Sequence, residues 1–213
     1  MTENISFALL CFTSFFTLIN PLGVMPIFMT MTGSISNEQR VKTAKKAVIV
    51  SFVALIVFAF SGQLLFRFFG ISVDSFRVVG GIIFFMMGWD MLQARLVKVK
   101  HDENDIKEYV NDISVTPLAI PMICGPGAIT NSIVLMEDAN SALKKIILFA
   151  AILLVHLLTF FILFSSTKII KLIGETGNKI MMRLMGLIVM VIAVEFFFSG
   201  MKPILQGIFK AGI

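Results

Sequence analysis

Residues 5–31 read ISFALLCFTSFFTLINPLGVMPIFMTM, and no charged residue occurs between Glu3 and Glu38. A helix needs about 20 mostly apolar residues to cross the hydrocarbon core of a bilayer. This run is long enough, but Asn20-Pro21-Leu22-Gly23-Val24-Met25-Pro26 interrupts its centre. It therefore reads as a membrane helix with a built-in break. The start, Met1-Thr2-Glu3-Asn4, has no positive region and no small-residue cleavage site follows, so the run is expected to stay as the first membrane segment.

Five more stretches of this kind follow. They are Ala47–Phe66, Ser75–Ala94, Ile113–Met136, Ile146–Thr167 and Met181–Met201. None shows the alternating pattern of a barrel strand, and backbone in lipid must satisfy its own polar groups, so all are expected to be helices. The bulk composition agrees. Apolar residues make up 57% of the 213 and charged residues only 15%, with a mean hydropathy of +0.94. A soluble domain carries about 25% charged residues. The net charge of +5 does not point to nucleic acid, because the basic residues lie between apolar runs and not in one aromatic-laced patch.

Those loop charges orient the chain. Arg40, Lys42, Lys45, Lys46, Arg95, Lys98, Lys100, Lys107, Lys168, Lys171, Lys179 and Arg183 fall on one side; only Arg67, Arg77, Lys144, Lys145, Lys202 and Lys210 fall on the other. The positive-inside rule places the richer side in the cytoplasm and both termini outside.

The two halves resemble each other. Displacing the chain by 105 residues lays Asn20-Pro21-Leu22-Gly23 on Gly125-Pro126-Gly127-Ala128 and Asp90 on Glu195; a displacement of 106 lays Arg77 on Arg183 and Gly80 on Gly186. Each half holds three helices, an odd number, so the second copy enters the membrane from the opposite side. The expected architecture is all-α, with six transmembrane helices in two inverted three-helix repeats. Residues 1–97 form the first repeat, 98–112 a cytoplasmic linker and 113–213 the second, within one membrane domain.

Helix four carries Pro117, Pro121 and then Gly125-Pro126-Gly127. Proline removes an N–H and clashes with the carbonyl four residues back, so Pro21 disturbs Thr17 and Pro126 disturbs Met122. Interrupted helices leave free N–H and C=O groups near mid-membrane, where only protein or a hydrated cavity can satisfy them. A half-helix N-terminus suits a carboxylate, and the carbonyls before it suit an ammonium or a cation. The candidate binding residues are Thr17, Asn20, Pro21, Gly23, Gly125, Pro126, Gly127 and Thr130, with Ser14 and Asn131 nearby. The competing reading is a pair of structural kinks with interhelical hydrogen bonds.

Asp90, His156 and Glu195 are ionisable groups inside apolar runs, which makes them candidates for ion coupling or, for His156, a proton relay. Interfacial anchoring, or pairing with Arg95 and Lys202, is the plainer reading of the two carboxylates, and a neutral packing role that of the histidine. His101, Asp102, Glu103 and Asp105 lack any sign of a held geometry and read as a solvated linker, not a metal site. Cys11 and Cys124 read as buried packing thiols. The fourteen methionines and twenty-two phenylalanines read as lipid-facing residues or core filler. No Walker loop, no H-E-x-x-H and no paired nucleophile and base are present, so neither a cofactor nor an enzyme is expected.

Asn20-Pro21-Leu22-Gly23-Val24-Met25-Pro26-Ile27-Phe28 resembles the N-P-x-G-x-x-P-x-F signature of the MarC-related membrane proteins. Pro117-Leu118-Ala119-Ile120-Pro121, followed by Gly125-Pro126-Gly127-Ala128-Ile129, resembles that family's second signature, P-L-A-I-P…G-P-G-A-I. The resemblance spans nearly the whole chain. It implies a six-helix inner-membrane protein of a bacterium or archaeon, and family-level classification implies transport of neutral amino acids. Asp90, His156 and Glu195 lie outside both signatures. The reading is a secondary transporter or permease for a small polar solute, with the lipid bilayer as partner and homo-oligomerisation open. An intramembrane enzyme or lipid-processing protein remains as a rival if the ionisable groups converge, and a non-transporting scaffold remains if the breaks pack solid.

Overall fold

The computed structural model describes residues 2–33, 35–93 and 106–211, and no strand occurs among them. The elements are α1 (Thr2–Ile19), α2 (Pro21–Met31), α3 (Asn37–Phe69), α4 (Val73–Leu92), α5 (Ile106–Ile113), a widened helical segment (Ser114–Ile123), α6 (Pro126–Asp138) and α7 (Ala142–Ala211). By length and hydropathy these make six spans, provided the pair Val110–Ile123 and Pro126–Asp138, bent by 58°, is taken as one. The first span, Thr2–Met31, is the run broken at Asn20; α7 supplies the last two, Ala142–Ser166 and Lys179–Phe209. These spans match the six stretches expected from the sequence. The expected loop charges Arg95, Lys98 and Lys100, and the group His101, Asp102, Glu103 and Asp105, lie outside the described residues.

Each boundary has a local cause. Ser36 and Gln39 form a reciprocal capping box at the start of α3, Ser36 N–H donating to Gln39 Oε1 at 2.9 Å and Gln39 N–H to Ser36 Oγ at 3.3 Å. Gly70 ends α3 in a left-handed conformation, φ 64°. Ser72 caps α4, its Oγ accepting from Ser75 N–H at 3.0 Å. Arg40, read as a loop charge, is only 9% exposed. Its Nη2 donates to the Thr32 carbonyl at 2.8 Å, placing a cation at the negative end of α2. Part of the expected linker is helical: Asn111 in α5 accepts from Lys46 Nζ at 2.7 Å.

Five of the six spans bury only 17–39% of their most apolar windows. Large side chains such as Leu64, Phe68, Phe161 and Val191 point outward, as lipid demands. Inside, α1 contributes a stripe at every fourth residue, Phe7, Cys11, Phe15 and Ile19. Lipid tails are as apolar as leucine, so helices gain by packing closely and not by hiding from solvent. The glycines of α4 and α7 serve this approach. A Cβ on Gly81 would stand 2.7 Å from the Ala193 carbonyl oxygen; one on Gly88, 2.8 Å from that of Gly186; one on Gly186, 2.8 Å from that of Gly88.

Gly174 turns α7 between its two arms at φ 72°, ψ 178°, with open space around it. Only glycine adopts that region readily, so Gly174→Ala is expected to cost about 1–3 kcal/mol through the backbone alone. Gly186→Val is expected to cost a comparable amount through collision with α4, of order 1–3 kcal/mol. Thermal unfolding in detergent measures both. If Gly174→Ala unfolds as the wild type does, the backbone account of the turn is wrong.

Candidate functional site

The first break is organised by Asn20. It adopts φ 46°, ψ 65°, a left-handed conformation that asparagine tolerates better than most residues. Pro21, at the first position of α2, has no N–H to leave unpaired. The Asn20 carbonyl accepts from Gly23 N–H at 2.9 Å and Val24 N–H at 3.1 Å, and its side-chain Oδ1 accepts from Gly23 N–H at 3.1 Å. Thus α2 starts already capped. Gly23 lies against the Asn20 carboxamide, and any Cβ there would collide with it.

A cavity of about 40 Å³ lies at this break. Thr17, Asn20 and Gly23 line it, together with Leu18, Ile19, Val24 and Ile27 from the same span. Across from them stand Phe84, Met87 and Met91 of α4, Met122, and Val189 and Ile192 of α7. No lining residue is charged. One water needs about 10–15 Å³ of such volume, so the cavity admits a few waters and not an amino acid. The methionines were expected only as filler. The signal that could have found them is their spacing: Phe84, Met87 and Met91 recur at helical intervals on one face of α4.

The second break lies at Cys124–Gly125. Thr116 and Ile120 have extended backbone angles because each precedes a proline, which disfavours the helical region. The Cys124 N–H reaches back five residues to the Ala119 carbonyl at 2.8 Å. Pro126 starts α6 after Gly125, and no side chain caps that terminus. Gly125 abuts the Phe84 ring, and Gly127 abuts the Phe196 ring and Leu18. Phe84 and Leu18 also line the cavity, so one wall joins the two breaks. A hydrogen bond from Asn131 Nδ2 to Ser14 Oγ, 3.2 Å long, ties α6 to α1. Pro21 and Pro126 are both buried, and neither lines the cavity.

Thr130 is 3% exposed, and its hydroxyl has no partner. The other buried hydroxyls behave differently. Thr32, Thr43, Ser51, Ser114, Ser132, Thr159 and Ser166 each donate to a carbonyl three or four residues back. Thr130 departs from that habit one turn inside the uncapped end of α6.

The three ionisable candidates stay apart from the cavity. Asp90 is exposed in a shallow groove with Phe85, Met86 and Trp89, and Glu195 is exposed on α7. Neither makes an ion pair among the described residues, so Glu195 does not pair with Lys202. His156 is 1% exposed, its Nδ1 lying 2.8 Å from the Ile152 carbonyl and its ring edge-on to Phe52 at 5.5 Å. Its Nε2 has no partner. Among the described residues no three His, Cys, Asp or Glu side chains are grouped to hold a metal ion. Cys11 and Cys124 are buried free thiols.

The profile described as MarC family integral membrane protein matches residues 5–205. The UPF0056 membrane protein PH0760 of Pyrococcus horikoshii is 40% identical over 202 residues, covering 95% of this chain and 98% of that protein. The UPF0056 membrane protein MJ0972 of Methanocaldococcus jannaschii is 39% identical, covering 97% and 91%. The UPF0056 membrane protein YvbG of Bacillus subtilis is 37% identical, covering 92% and 95%. No solved structure matches the chain.

The first break has a direct test. Asn20→Ala loses both the cap and the left-handed tolerance and is expected to cost about 2 kcal/mol; Asn20→Gly keeps the backbone conformation and should cost a few tenths. Melting in detergent reads the difference. Equal losses in the two variants would refute the role assigned to Asn20.

Proposed function

Since the chain belongs to the MarC family of integral membrane proteins, we propose that it is a secondary transporter or permease whose solute binds between the two breaks. The observation that carries this reading is the cavity at Asn20, whose lining residues Leu18 and Phe84 also touch Gly127 and Gly125 at the second break. A scaffold has no need of an opening there, and an intramembrane enzyme would gather acid, base or metal groups that the site lacks.

The lining favours a small solute with no net charge. An uncompensated charge in so apolar a place costs several kcal/mol, and no lining side chain offers a counter-charge. A neutral amino acid carries both charges within itself. Its carboxylate suits the uncapped N-terminus of α6 and the unpartnered Thr130 hydroxyl, and its ammonium suits the carbonyls freed at the breaks. With room for only a few waters, the cavity fits an occluded conformation, and the helices part to admit solute.

The alternating-access reading draws support from paired contacts. Displacing the numbering by 105 carries Gly81 onto Gly186 and Gly88 onto Ala193, so the contact of Gly81 with Ala193 becomes that of Gly186 with Gly88. The same displacement carries Gly125 and Phe84, which touch, onto Asn20 and Val189, which share the cavity. We read residues 1–97 and 113–213 as two inverted repeats that rock about this interface, with both termini outside the cell membrane.

Counterflow in proteoliposomes is the test. Labelled glycine, alanine and serine are expected to exchange, while lysine and glutamate are not. Thr130→Val keeps the shape and removes one hydroxyl, so uptake should fall by about tenfold, the worth of one hydrogen bond. Because that hydroxyl has no partner, stability should not fall. Absence of uptake for every amino acid, from folded protein, removes the substrate assignment. A phosphatase fused after Ile213 is expected to be active in a bacterial host; an inactive fusion reverses the topology.

A further inference from the structure

A second, larger cleft of about 390 Å³ opens at one end of the bundle, between the turn joining α3 to α4 and the last turns of α6. Its floor is apolar, with Phe66 and Ile133; its rim carries Gln63, Arg67, Ser72 and Glu137. Arg67 and Glu137 share this cleft, yet no ion pair joins them. Both side chains are exposed and lack a protein partner among the described residues, so each is open to a ligand that displaces water.

The helix ends act differently on the two charges. Arg67 lies in the last turn of α3, whose negative pole offsets its charge, and Ser72 and Val73 bring the positive N-terminus of α4 to the same cleft. Glu137 lies in the last turn of α6, which ends at Asp138 with its negative pole. The volume falls in the ordinary range of small-molecule sites, about 300–1,000 Å³. One face of α6 links this cleft to the inner break. Pro126, Thr130, Ile133 and Glu137 recur at intervals of four, three and four residues and so share a stripe. Along that stripe Pro126 meets Gly80 and Ile133 meets Gly62, and the unpartnered Thr130 hydroxyl stands between them.

We infer that this cleft is an outer binding site for a zwitterion, with Arg67 holding the anionic end and Glu137 the ammonium. Its place as the mouth of a solute path rests on the transport reading above; the binding itself does not. The shared chemistry, an ammonium a few bonds from an anionic oxygen, comes from two sources: a free amino acid, or the phosphoethanolamine headgroup of a lipid.

A local probe tests it on the full chain. Val134 lines the cleft, so Val134→Cys tagged with a trifluoromethyl group, in phosphatidylglycerol nanodiscs, reports occupancy by fluorine NMR. The buried Cys11 and Cys124 are shielded from the tag. Titrations use alanine, alanine methyl ester, lactate and glycerophosphoethanolamine. A zwitterion is expected to shift the signal, with the ester and lactate, each lacking one charge, at least about tenfold weaker, the worth of one charge-assisted hydrogen bond. Arg67→Gln and Glu137→Gln should each weaken the zwitterion by a similar factor. A response to alanine assigns the site to free solute; a response to glycerophosphoethanolamine alone assigns it to a lipid headgroup, and both outcomes support it. No response to either, or unchanged affinity in both variants, overturns it. Counterflow on the same variants separates the two readings. A charge-dependent NMR response without counterflow removes transport and leaves the cleft; counterflow with wild-type KM in both variants, and no NMR response, does the reverse.

Discussion

Backbone in hydrocarbon has no water to fall back on, and this constraint governs every irregular feature of the molecule. A straight helix meets it automatically. Two of the six spans are not straight, so their broken turns must be repaired from within the chain. At Asn20 one residue makes the repair: it supplies the left-handed hinge, two carbonyl bonds and a side-chain cap. At Cys124–Gly125 it is partial. A five-residue reach to Ala119 satisfies one N–H, but the terminus of α6 has no cap and the hydroxyl one turn inside it has no partner. The asymmetry gives the two breaks different chemistry. The first is a hinge whose Gly23 and Val24 N–H groups are bonded; the second begins a helix with no side-chain cap.

Packing without a hydrophobic drive sets the second requirement. Close contact replaces solvent exclusion, so the decisive residues on α4 and α7 are the smallest ones. Gly81, Gly88 and Gly186 bring helix backbones within van der Waals reach. That leaves bulky methionine and phenylalanine side chains to fill the space around the breaks. Met87, Met91 and Met122 are flexible and polarizable, suited to filling an irregular wall. The ionisable groups within the apolar runs lie elsewhere: Asp90 and Glu195 look outward, and His156 packs against Phe52.

The six spans and both breaks were legible in the linear sequence because they depend on short-range rules. Hydrocarbon thickness fixes span length, proline forbids a particular hydrogen bond, and residues before proline leave the helical region; each rule acts within a few residues. The capping box at Ser36 and Gln39 and the prolines at the head of α2 and α6 are of the same kind. Family membership was legible too, since both signatures sit at those breaks.

Only the tertiary structure decided what surrounds the breaks. Thr17, Asn20 and Gly23 share a cavity, whereas Pro21, Gly125, Pro126, Gly127 and Thr130 shape its neighbourhood without lining it. The methionine wall and the placing of Arg67 and Glu137 at one cleft bring together residues far apart in the chain, and the burial of Arg40 on the Thr32 carbonyl is likewise a matter of packing. Composition and spacing are silent on such pairs. Which faces of six apolar helices turn toward one another is set by the fit of glycines against backbones, and hydropathy is nearly the same on every side.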